Sequence, residues 1–120
     1  MRNLEKVFVL ILMIFVAVTN IYANVQDGKN VYLTHCANCH SNNMSGSFGK
    51  DFNLVSYERT KDEIKAYVIQ PDKLYKSFGY SSNAMPSLPL TGQEIEDIAD
   101  YIDSLQPFKK SMIKVNKKWP

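Results

Sequence analysis

Cysteine and histidine are scarce: the chain has two of each in 120 residues. A structural zinc site needs four ligands, usually as two separated pairs. Here His35 and His40 flank a single pair, Cys36 and Cys39, so zinc would require carboxylates or a partner chain. A disulfide between Cys36 and Cys39 would close a tight loop and add little stability. A convincing parallel-strand pattern is missing, and with it the βαβ context of a thioredoxin-like redox pair. Excess charge is missing as well. A formal net charge of +2 provides no bulk attraction for nucleic acid, and no such partner is expected. No internal repeat occurs. No general acid, base or nucleophile constellation stands out, so no catalytic residue and no small-molecule substrate are assigned, and the chain does not read as an enzyme by itself.

What is present is Cys36-Ala37-Asn38-Cys39-His40, the Cys-x-x-Cys-His pattern of c-type haem attachment. The chemistry accounts for the spacing. Two thiols add across the two vinyl groups of one haem and form thioethers. Both sulfurs must then lie under one porphyrin edge, which two intervening residues in a helical turn allow. His40 comes next in the chain, falls beneath the iron and supplies an axial nitrogen. The pattern predicts one covalent haem c held by Cys36 and Cys39, with His40 as an iron ligand.

The N-terminus carries Arg2 and Lys6, then twelve uncharged apolar residues from Val7 to Val18. A membrane-spanning helix needs about 20 apolar residues. A basic start, a short apolar run and a small residue at Ala23 read as a secretory signal peptide over 1–23, cleaved after Ala23. The alternative is an uncleaved membrane anchor, although Thr19, Asn20 and Tyr22 weaken a span. Export agrees with the haem reading, because bacteria join haem to such motifs outside the cytoplasmic membrane. The expected location is the periplasm, with a periplasm-facing membrane anchor as the alternative. A mature chain from Asn24 is one small domain with a limited core. A covalent haem would staple it, and the unloaded chain should fold poorly.

Along the mature chain, Asp27 is a candidate cap for a helix from about 27 to 36. Residues 41–56 are rich in Ser, Asn and Gly and read as a loop around the haem edge. Thr60-Lys61-Asp62-Glu63 is a capping box; Ile64, Tyr67 and Val68 follow at helical spacing, and Pro71 stops the helix. Asp72-Lys73-Leu74-Tyr75 suits one helical turn inside an irregular stretch over 71–90. Thr91-Gly92-Gln93-Glu94 is a second capping box. Ile95, Ile98, Tyr101, Ile102 and Leu105 then form an apolar stripe, ending near Leu105 or Gln106 before Pro107. The stripe reads as core packing. Tyr75, Phe78 and Tyr80 either line a haem crevice or bury aromatic area.

This order, together with Cys36, Cys39, His40, the Met85-Pro86 pair and the helix opened by Thr91, resembles the class I bacterial cytochromes c over residues 26–106. The resemblance implies an all-α small cytochrome c fold, with three main helices and loops wrapped around one haem. It implies Met85 as the second axial ligand, a thioether that favours ferrous iron and suits electron transfer. Met44, Met112 and His35 are competitors: Met44 follows His40 too closely to reach the opposite haem face, Met112 lies past the last helix, and His35 points away in the family arrangement. Core packing is the other reading of Met85. Gly28 and Tyr101 match positions where the family's first and last helices cross. One departure concerns the family's Gly-Pro-x-Leu-like segment, whose proline carbonyl accepts from the ligating histidine. Here Gly49-Lys50-Asp51-Phe52-Asn53-Leu54 lacks proline, and the carbonyl that serves His40 is left open.

Cleavage after Ala23 and the end of the last helix before Pro107 give an expected domain over 24–106, followed by a Lys-rich tail over 107–120. The segment Lys109–Pro120 holds five lysines and no acid. It reads either as a docking element for an acidic redox partner or anionic lipid, with Trp119 beside it, or as a solvated terminus. The functional expectation is a periplasmic single-electron carrier serving redox protein partners. The alternatives are a tightly bound cytochrome subunit of a periplasmic dehydrogenase or oxidase, and a haem-based ligand sensor with an open distal site.

Overall fold

The computed structural model describes residues 1–112, with the backbone alone for residues 20–23. Trp119 and most of the Lys-rich tail lie outside the described residues. The fold is all-α, as expected, and no strand occurs among the described residues.

Helix α1 spans Arg2–Val31 and runs without a break into a π-helical turn, Tyr32–Cys36. This corrects the expected helix start at Asp27. Between Val7 and Gly28 the sequence has no proline or glycine, so a helix already formed upstream propagates through Asp27 without a second nucleation step. The apolar side chains from Val7 to Val18 are all exposed. By length and composition the helix Arg2–Cys36 could cross a membrane, a test that an export signal passes equally. At its far end the Ala37 N–H donates to the Tyr32 carbonyl at 2.9 Å. That five-residue step widens the helix just before the haem motif closes with Cys39 and His40 both donating to the Cys36 carbonyl.

Helix α2, Phe52–Glu58, replaces part of the expected loop. Asp51 caps it by accepting from the Asn53 N–H, as a short carboxylate at that position favours. The helix escaped sequence reading because its inward face is Phe52 and Ser56, and a buried serine breaks the apolar stripe. Ser56 is satisfied: its hydroxyl donates to the Asp103 carbonyl and accepts from Gln106 N–H and Lys109 Nζ.

Helices α3, Lys61–Ile69, α4, Pro71–Leu74, and α5, Gly92–Ser104, follow the sequence expectations closely. Thr60 and Thr91 both form complete capping boxes, with Glu63 and Glu94 reaching back to the cap N–H. Helix α5 crosses α1 at Gly28. A Cβ added there would lie 2.0 Å from the Asp97 carbonyl oxygen and 2.6 Å from the Tyr101 Cβ, so only glycine admits this approach. The core joins Val31, Tyr32 and Cys36 at the end of the first helix to Ile98, Ala99, Tyr101 and Ile102 of α5, with Phe52 and Ile64 completing it. Lys61 and Lys65 of α3 pair with Glu96 of α5, and Lys61 also with Asp100. Past α5, Lys109 folds back onto Asp103 and Ser56.

Candidate functional site

The first helix ends, and α2, α3, α5 and the 78–90 loop meet, around an apolar cavity of about 320 Å³. Cys36, Cys39, His40 and Met85 all lie on its wall. So do Phe78 and Tyr80, two of the three loop aromatics for which a crevice role was one reading; Tyr75 is not on the wall. Met44 and Met112 do not line it; they are 60% and 64% exposed. His35 also borders it. Among the described residues no group of three or more His, Cys, Asp or Glu side chains is placed to hold a metal ion.

His40 is held by the segment whose proline is missing. Its Nδ1 donates to the Lys50 carbonyl at 2.7 Å. That bond leaves Nε2 as the nitrogen with a free lone pair and fixes the orientation of the ring. Gly49 makes the approach possible: a Cβ there would lie 2.5 Å from His40 Cε1. The Phe52 ring stacks on the imidazole, centroids 4.7 Å apart. The Tyr32 hydroxyl donates to the His40 carbonyl at 2.8 Å. Asn42 donates to the Tyr101 hydroxyl at 2.7 Å, tying the loop after the motif to α5. Lys50 Nζ pairs with Glu58 at the end of α2.

The two thiols differ. Cys36 is buried, and burial, with a further push from Cys39, raises its pKa to about 11; Cys39 is exposed. Asp51 organises the loop. Burial pushes its carboxyl up, but hydrogen bonds from the Ser41 hydroxyl, the Asn53 and Met44 N–H groups and the Asn53 amide more than offset this and hold it below the usual carboxylate range.

A model of the cytochrome c family matches residues 25–106, most of the chain. The chain belongs to the cytochrome c family. Haem c, with its iron, is therefore the cofactor, electron transfer the function and redox proteins the partners; such cytochromes are typically carriers rather than enzymes. Comparison with the curated proteins and with the solved structures gives no significant match.

The residues of this cytochrome fit a haem. The cavity wall is largely apolar, as a porphyrin plate requires, with both thiols on it. Arg59 also lines it, and its buried Nε has no hydrogen-bond partner. A buried guanidinium N–H without an acceptor is costly, and a group bearing carboxylates would relieve it. The rest of Arg59 is fixed: Nη2 donates to the Phe78 carbonyl at 2.7 Å, and the guanidinium lies over the Phe78 ring. Sequence reading missed Arg59, Phe52 and the Lys50 carbonyl. An arginine next to a capping threonine looks like a solvated charge, and a backbone acceptor leaves no mark in a sequence.

Proposed function

We propose that this cytochrome is an exported, periplasmic single-electron carrier holding one covalent haem c through Cys36 and Cys39, with the iron between His40 and Met85. The observation that carries the reading is that His40, already oriented through Nδ1, and Met85, in the loop before α5, share one cavity with both cysteines. When bound, haem c cycles between Fe(II) and Fe(III). The residues of the chain set the conditions for that cycle. His40 presents Nε2, and its hydrogen bond to Lys50 fixes the orientation of the ring. Met85 offers a thioether, which favours the ferrous form and raises the potential. The apolar walls from Ile64, Val68, Ile98 and Ile102 exclude water. Arg59 offers an N–H to an anionic edge. An open-site sensor would need Met85 away from the cavity, and Met85 stands on its wall.

Helix α1 supports export: its exposed apolar stretch precedes Ala23, and the domain begins close after it. We take Ala23 as the cleavage point and 24–106 as the haem domain. Redox titration of the purified protein, with carbon monoxide added to the reduced form, tests the function. The reading predicts one reversible one-electron step and no carbon monoxide response. Ready carbon monoxide binding by the unaltered protein would contradict Met85 ligation and favour ligand sensing.

A further inference from the structure

His40 is gripped on three sides, and the third grip has a consequence beyond attachment. Its Nδ1 is bonded to Lys50, and the Gly49 backbone lies against its edge. Phe52 covers one face, with the two ring planes 25° apart. Phe52 is itself held by other contacts. It is 6% exposed, its N–H donates to the Ser41 carbonyl at 2.8 Å, and its ring packs on Tyr32 with centroids 5.5 Å apart. The preceding residue, Asp51, is pinned by Ser41, Met44 and Asn53. The stacked ring is therefore fixed by α2 and the loop, independently of the imidazole it covers.

A single hydrogen bond at Nδ1 fixes the direction in which an imidazole points. It resists rotation about the nitrogen–metal axis weakly. A flat ring stacked on the face resists that rotation directly, because turning the imidazole drives its edge into the aromatic carbons. We propose that Phe52 is a positioning residue for His40: it fixes the rotation of the imidazole plane about its iron bond, and so which iron d orbital the imidazole π system overlaps. This rests on the reading of His40 as an axial ligand.

Electron paramagnetic resonance of the ferric, haem-loaded full chain tests it, because the g values of a low-spin haem iron report the orientation of its axial ligand planes. Phe52→Leu removes the flat ring, and Phe52→Met does so with a more flexible filler in case leucine impairs loading. Val31→Ala, a core truncation off the cavity wall, controls for lost stability. The proposal predicts one narrow low-spin signal for the unaltered protein and for Val31→Ala. It predicts a shifted largest g value and a broadened signal for the Phe52 variants. Phe52 variants with the unaltered g values and width would overturn it, as would an equal shift in Val31→Ala. An unaltered protein giving only a high-spin signal would contradict axial ligation itself and remove the proposal with it.

Discussion

Single atoms decide several properties of this cytochrome. Gly28 exists to let a carbonyl pass: an added Cβ would stand 2.0 Å from the Asp97 oxygen, and backbone cannot move aside as a flexible side chain can. Gly28→Ala should destabilise the loaded protein by about 3 kcal/mol, at the upper end for overpacking, measured by denaturant titration. Asp51 links pH to stability. Its pKa is lowered in the folded state, so its contribution is complete above the unfolded value, about 4, and is lost as pH falls through the folded one. Thermal melts of the loaded protein between neutral and acid pH should show this loss, and Asp51→Asn should flatten it while lowering stability at neutral pH. The placing of Cys36, Cys39 and His40 together on one cavity wall was legible from their spacing in the chain. The Lys50 carbonyl was not, since any residue has one; only the folded loop selects it.

At the level of elements, the helices with local start signals were the legible ones. Thr60 and Thr91 announce α3 and α5, and both boxes are closed as the residue types require. Thr91→Ala should cost about 1 kcal/mol, read as a lowered denaturation midpoint with an unchanged slope. Helix α2 was hidden because its inward face includes Ser56, whose polarity is satisfied by residues 47 to 53 positions away. Lys109 was grouped with a lysine-rich tail, yet its side chain is 14% exposed and its ammonium contacts the Asp103 carboxylate and carbonyl together with Ser56. Sequence gives no sign of this, because the partners arrive only when α2 and α5 pack. Lys109→Met should lower stability by about 2 kcal/mol, the range for hydrogen bonds to a charged group, whereas Lys110→Met, at an exposed position, should leave the melting curve unmoved.

For the molecule as a whole, the apolar cavity between the first helix, α2, α3, α5 and the 78–90 loop governs the dependence on haem. Without haem its lining of core side chains stays in contact with water, and the remaining core of so small a domain buries little apolar surface. A chain with Cys36→Ala and Cys39→Ala, produced without haem, should therefore show no cooperative thermal transition by circular dichroism. The architecture was legible in outline from motif order alone, but the seamless join of α1 to the haem motif was not, because a capping residue at Asp27 suggested a start where the helix continues. One covalent haem between His40 and Met85, as proposed, should be visible in the absorption spectrum of the exported, ferric protein. The haem should stay with the chain on denaturation, and a weak band at the red end, of the kind a methionine–iron(III) bond gives, should disappear in Met85→Ala. Haem stripped away by denaturation, or a red-end band that survives in Met85→Ala, would contradict it.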